Sequence, residues 1–189
     1  MINNLDVLPD DLPVPLDDGA CDHLRGARVP SIPLAATDGT SVDLSEITGR
    51  VVVFVYPRTG QPGKPSLITN WNEVPGARGC TPQTCGFRDL HADFGELGVR
   101  VFGLSTQTTA YQQEMVARLH VPFAVLSDAG LLLTAALKLP TFDAAGETLL
   151  KRMAWVIDEG RITKVWYPVF PPDRNADTVL AWLREHPRV

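Results

Sequence analysis

No run of apolar residues in this chain approaches the roughly 20 needed to span a bilayer, and residues 1–18 are acidic and proline-bearing where a secretory leader would be basic and then apolar. These absences point away from a membrane and toward the cytoplasm. Positive charge is scarce: 17 Lys and Arg against 22 Asp and Glu leave a net charge of -5, and no basic run offsets it, which excludes nucleic acid as an expected partner. Three cysteines are too few and too unevenly placed for a secreted disulfide framework. The four histidines, His23, His91, His120 and His186, do not cluster around those cysteines, so no metal site is expected. There is no glycine-rich phosphate loop, no internal repeat and no low-complexity tract, and no cofactor is expected.

What the sequence does contain is enough apolar material, 44% of 189 residues, for one sizeable core. Residues 1–25, with Pro9, Pro13, Pro15 and many aspartates, read as an extended or loosely docked arm without chemistry of its own. Residues 26–189 read as one domain. Segments 32–34 and 42–44 flank Asp38-Gly39, a hairpin signal, and 44–47 reads as a capped helical turn. The run 51–56, Val-Val-Val-Phe-Val-Tyr, is the pattern of a strand buried on both faces. Helical stretches at 81–97 and 108–119 alternate with apolar runs at 99–104 and 123–126. A short helix at 129–137, a hairpin of 152–157 with 162–167, and a closing helix at 177–185 complete the order. This is an α/β chain with a mixed central sheet flanked by helices, the order of the thioredoxin architecture. A connection at 58–78 is far longer than the usual two to six or so residues between strand and helix and carries Leu67, Ile68, Trp71 and Val74, so it is expected to dock rather than float.

Chemistry concentrates at Gly79-Cys80-Thr81-Pro82-Gln83-Thr84-Cys85-Gly86-Phe87-Arg88-Asp89. Pro82 suits a first helical turn, which puts Cys80 at a helix amino terminus. An ordinary thiol of pKa about 8.5 is only about 3% ionised at pH 7, and the thiolate is the nucleophile; free N–H groups and the positive helix end favour that anion. Arg78, Arg88 and Arg152 are the candidate neighbouring cations. On an ideal helix the α-carbons of Cys80 and Cys85 lie about 8.7 Å apart and roughly 140° around the axis, whereas disulfides rarely tolerate more than about 7 Å. The pair bridges only if the first turns unwind, and Thr81, Pro82, Thr84 and Gly86 are residues that permit unwinding. Taken alone, Cys85 is equally readable as inert packing. Cys21, isolated in the acidic arm, reads as incidental.

With Tyr56-Pro57, Gly103-Leu104-Ser105, Val121-Pro122-Phe123, Leu126-Ser127-Asp128 and an Arg152 six residues before Asp158, the cysteine motif resembles the bacterioferritin-comigratory-protein, or Q-type, branch of the peroxiredoxins over about residues 26–187. The resemblance implies a thioredoxin fold, an antioxidant thiol peroxidase acting on hydrogen peroxide and small organic hydroperoxides, Cys80 as peroxidatic and Cys85 as resolving cysteine, Arg152 as the active-site arginine, and Pro57 as the proline that shields the pocket. It implies recycling by a thioredoxin-like or glutaredoxin-like reductant. Members of the branch are often monomers, although an apolar loop with Trp71 also offers a surface for a dimer. Two departures stand out. The hydroxyl residue that the family carries three positions before its cysteine is replaced by Ala77, leaving Thr59 or Thr81 as possible sources, and the proline lies unusually far upstream. A redox sensor using the same disulfide with little turnover is the alternative reading; a thiol-disulfide oxidoreductase is disfavoured by the four-residue spacing of the cysteines.

Overall fold

The computed structural model describes residues 5–188. Strands β1 (Pro33–Ala36), β2 (Ser41–Asp43), β3 (Arg50–Val55), β4 (Val99–Ser105), β5 (Val125–Ser127), β8 (Met153–Asp158) and β9 (Arg161–Trp166) form a mixed sheet in the order β2-β1-β5-β4-β3-β8-β9. β3 runs parallel to β4 and β4 to β5, while β8 lies antiparallel to β3 and β9 to β8. The continuous apolar run of β3 is explained by its central place: Val51, Val53 and Val55 face one core with Trp155 and Leu133, and Val52, Phe54 and Tyr56 face a second with Phe87, Met115 and Leu180. Helices α1 (Cys80–Asp89), α2 (His91–Glu96), α3 (Thr109–Leu119) and α5 (Asn175–Glu185) cover the second face, and α4 (Leu132–Leu137) covers the first. This is the thioredoxin fold in its mixed-sheet form. No helix among the described residues is long and apolar enough to cross a membrane.

Local chemistry moves several boundaries. The stretch 81–97, expected as one helix, divides at Leu90 into α1 and α2. The expected helical turn at 44–47 is a single hydrogen-bonded turn at 44–45, closed by Glu46 N donating to Asp43 O at 3.2 Å and capped by Asp43 Oδ1, which accepts from both the backbone N–H and the hydroxyl of Ser45 at 2.9 and 2.6 Å. The fourth helix begins at Leu132 rather than 129, its amino end held by Asp128, whose carboxylate accepts from Leu133 N and Thr134 N. A hairpin not foreseen at all, β6 (Thr141–Ala144) with β7 (Glu147–Leu150), turns on Ala145-Gly146, both at positive φ; Ala-Gly lacks the Asn-Gly or Asp-Gly signature of such turns.

That hairpin is the platform for the long connection. Trp71, Leu67, Ile68 and Val74 pack with Phe142, Ala144 and Leu149 into a small separate core, and the rings of Trp71 and Phe142 lie 6.2 Å apart. The arm is bound more closely than its composition suggests. Leu24 and Cys21 are buried in the main core, and Asp18 bonds both Lys151 and Tyr167 at 2.8 Å. Leu8 reaches Gly79, and Val7 O accepts from Arg78 at 3.2 Å. Residues 1–4 of the expected arm lie outside the described residues.

Candidate active site

α1 begins at Cys80, preceded by Gly79 in the left-handed region at φ 104°. A side chain there would be strained by the backbone and would also collide with Pro172 and approach Leu8 Cδ2 to 2.8 Å, so glycine is required on two grounds. Gly79 O accepts the first helical bond from Gln83 N, and Thr84 returns its hydroxyl to Cys80 O at 2.9 Å. The result places Cys80 Sγ in the first turn, where backbone N–H groups have no helical partner. Cys80 is buried, 3% exposed, and belongs to the core that contains Phe54, Tyr56 and Phe87.

Of the three candidate cations, Arg152 reaches the sulfur. Immediately before β8, it is 3% exposed, and its Nη2 donates to Cys80 Sγ at 3.2 Å and to Ala77 O and Arg78 O at 3.1 Å. Its Nε donates to Gly76 O at 3.2 Å and its Nη1 to Gln83 Oε1. Apart from the sulfur, these partners are neutral oxygens, and the guanidinium holds the end of the long connection in shape with no carboxylate among its hydrogen-bond partners in the described residues. Gln83, fully buried, is itself oriented by donating to Asn175 Oδ1 at 2.9 Å, which ties α1 to the start of α5. Sequence reading missed Gln83 and Asn175; the one signal available was a polar residue at each position that helical periodicity would assign to the inward face.

Arg78 lines the same space and is buried, and desolvation pulls its guanidinium down while the neighbouring Cys80 acts against that shift. Arg88 points elsewhere, donating to Leu119 O at 2.9 Å and pairing with Asp89. Cys85 is half-buried one and a half turns further along α1, packed against the same core; burial pushes its thiol up, with Arg88 acting in the opposite direction. Both cysteines are free thiols, as is Cys21. Cys21 Sγ sits 3.8 Å from Met153 Sδ, and burial, reinforced by Asp18, Asp17 and Asp22, pushes it up to about 12. Burial also pushes the Tyr56 phenol up, again with Cys80 adding to the shift.

Cys80 opens onto a cavity of about 290 Å³. Thr59, Thr81 and Gly60 line it together with Leu67, Trp71 and Tyr111. The connection therefore folds back so that Thr59 rejoins the cysteine despite the intervening twenty or so residues, but its hydroxyl donates to Gln107 Oε1 at 3.1 Å, and its N–H goes to the same oxygen. Ala77 contributes its carbonyl, 3.6 Å from Cys80 Sγ, rather than a hydroxyl. Pro57 is buried just past the end of β3, and the cavity wall at that end is lined by Thr59 and Gly60.

Residues 24–180 match the redoxin family. The chloroplastic peroxiredoxin Q of rice, Oryza sativa subsp. japonica, is 31% identical over 162 residues, 85% of this chain and 66% of its own length, so the chain spans about two thirds of that relative. Peroxiredoxin Bcp of Escherichia coli strain K12 is 29% identical over 171 residues, covering 85% of this chain and 96% of the bacterial protein. The crystal structure of peroxidoxin BcpB from Mycobacterium tuberculosis superimposes with a TM-score of 0.69 at 29% identity, over 87% of this chain and 98% of that one. A free cysteine at a helix start under a buried arginine, together with these likenesses, leads to one conclusion: the chain belongs to the redoxin family, in the peroxiredoxin Q and Bcp branch of thiol peroxidases.

Proposed function

We propose that this protein reduces hydrogen peroxide and small organic hydroperoxides with Cys80 as peroxidatic and Cys85 as resolving cysteine, in a catalytic unit of residues 26–189 to which the arm 1–25 is accessory. The observation that carries the reading is the 3.2 Å hydrogen bond from Arg152 Nη2 to Cys80 Sγ at the amino end of α1. The Cys80 thiolate attacks the distal, protonated oxygen; the S–O bond forms as the O–O bond breaks, and the leaving alkoxide or hydroxide takes a proton from solvent. Arg152 and the free N–H groups of the first turn are placed to hold the negative charge that spreads over sulfur and the leaving oxygen. The product is a sulfenic acid at Cys80. Unwinding of the first turns of α1 then lets Cys85 attack that sulfur, releasing water and leaving a disulfide. A dithiol of the thioredoxin-like or glutaredoxin-like class reduces it by exchange, which suits a reducing compartment such as the cytoplasm. A monomer is favoured, since Trp71, the residue that would recommend a dimer surface, is buried within its own chain against Phe142 and Leu149.

The test is a quenched-alkylation mass-spectrometric time course of the reduced protein given one equivalent of hydrogen peroxide. A rapid Cys80–Cys85 disulfide is expected, absent from Cys80→Ser and Cys85→Ser, with the second variant accumulating sulfenic acid at Cys80. Failure of Cys80 to oxidise rapidly overturns the assignment.

A further inference from the structure

Arg152 is held by two kinds of partner. Its Nε and Nη2 donate to main-chain carbonyls at the end of the long connection, those of Gly76, Ala77 and Arg78, whereas its Nη1 donates to a side chain, Gln83 Oε1. A guanidinium has donors and no acceptor, so Gln83 must turn its oxygen toward Arg152 and its NH2 group away. Gln83 is fully buried, and the group that accepts from that NH2 is Asn175 Oδ1, at 2.9 Å. Asn175 is itself 3% exposed and opens α5, directly after the short helical turn Pro172–Arg174. Gly86 of α1 lets α5 come this close, since a Cβ there would stand only 3.4 Å from Ala176 Cβ and 3.5 Å from Asp173 O. Asn175, Gln83, Arg152 and Cys80 Sγ thus form one directed series of hydrogen bonds running from α5 through α1 to the sulfur.

We infer that Asn175 is a positioning residue for the reaction of Cys80: by accepting from Gln83 it fixes the amide that aims Arg152 at the sulfur. This rests on the reading of Cys80 as the attacking thiol. With no acceptor at position 175, the Gln83 NH2 is left buried and unpaired, an arrangement costly enough to turn the amide over or withdraw it. Arg152 Nη1 then loses its acceptor. Arg152 Nη2, which serves Cys80 Sγ, Ala77 O and Arg78 O together, is free to settle on the two carbonyls and leave the sulfur. Because Asn175 and Gln83 belong to α5 and α1, the guanidinium is aimed only while the two helices are docked and the first turns of α1 are wound. Activation of the thiol is in this way made conditional on the folded form of the helix that carries it.

Asn175→Leu removes the acceptor at little change in volume, and two measurements on the reduced full-length protein read the effect. The rate constant for oxidation of Cys80 by hydrogen peroxide, followed by quenched-flow alkylation, is expected to fall by about tenfold, part of the loss that follows outright removal of an aimed donor. The pH profile of Cys80 alkylation by iodoacetamide, taken without peroxide, is expected to move to higher pH, because a thiolate that loses a donor is less favoured. The ionisable groups that face Cys80, namely Arg152, Arg78 and Tyr56, are all retained in this variant. In Gln83→Glu the side chain presents an oxygen to Arg152 whichever way it turns, so adding Asn175→Leu to that background should change the rate by less than about twofold and leave its profile in place. Asn175→Ala takes the place of Asn175→Leu if the leucine variant does not fold. An unchanged pH profile in the folded variant overturns the inference, showing that the carbonyls of the connection hold Arg152 unaided. Equal losses in the two backgrounds overturn it as well, leaving Asn175 a role in helix packing alone. Failure of wild-type Cys80 to react with peroxide removes the peroxidase reading, while the alkylation profile still decides whether Asn175 aims Arg152.

Discussion

At the scale of single residues, Arg152 performs work that one positive charge would not. Its three donor nitrogens hold three consecutive carbonyls, of Gly76, Ala77 and Arg78, together with the Gln83 amide and the sulfur. A lysine keeps the charge but has no planar fork to span those partners. Arg152→Lys is expected to slow oxidation of Cys80 by about a hundredfold, the size of effect seen when a donor aimed at developing charge is lost. Stopped-flow measurement with hydrogen peroxide checks this, and a variant within a few-fold of wild type shows that charge alone suffices. The same comparison bears on Ala77. Where the family carries a hydroxyl, this chain offers a carbonyl to Arg152 and to the thiol, while the buried Thr59 hydroxyl lies on the cavity wall, bonded to Gln107.

At the scale of elements, the chemistry proposed for Cys80 and Cys85 asks that α1 be stable enough to present Cys80 and weak enough to release it. Its first turn is clasped from outside by parts of the chain remote in sequence: Leu8 from the arm and Pro172 both approach Gly79, and Gln83 is bonded to Asn175. Unwinding that brings Cys85 to Cys80 has to part these contacts. The Leu8 contact belongs to the arm rather than to the catalytic groups, so Leu8→Ala should leave the first reaction with peroxide little changed and accelerate the conversion of sulfenic acid to disulfide several-fold. Two-phase kinetics after a single addition of peroxide report both steps. A slower second phase would show instead that Leu8 guides the unwound segment rather than restraining the folded one. The β6 and β7 hairpin has a comparable outside role, since it backs the wall on which Trp71 rests.

At the scale of the molecule, stability acquires an alkaline dependence from Cys21, a buried cysteine away from the Cys80 cavity. Native Cys21 keeps its proton up to about 12, whereas an unfolded thiol loses it near about 8.5. Between those values the unfolded chain binds fewer protons than the folded one, so stability falls as pH rises. Cys85, also pushed up by burial, acts with the same sign. The urea midpoint is expected to drop between pH 7.5 and pH 9.5, and to drop less in Cys21→Ala. An identical drop in both proteins would place the effect elsewhere. Asp18 works at the other extreme: held at about 2 by Lys151 and then Tyr167, it stays ionised and bonded to both until the pH falls toward that value.

Much of this protein was written in local pattern. The unbroken apolar run of β3 announces a strand covered on both sides, because alternation is lost when both faces are buried. Pro82 announces a helix start, because a residue without an N–H belongs in a first turn. Five-residue spacing within a helix announces a pair that must unwind before it bridges, since helical geometry holds the two α-carbons too far apart. Such features depend on neighbours along the chain. The choice of Arg152 over Arg88, the Gln83 and Asn175 tie, the return of Thr59 to the cysteine, and the arm's grip on Gly79 were decided by tertiary structure. Each joins segments distant in sequence, and which of several chemically equivalent side chains meet is set by how the sheet orders its strands and how the helices pack across it, not by any property of the residues taken in line.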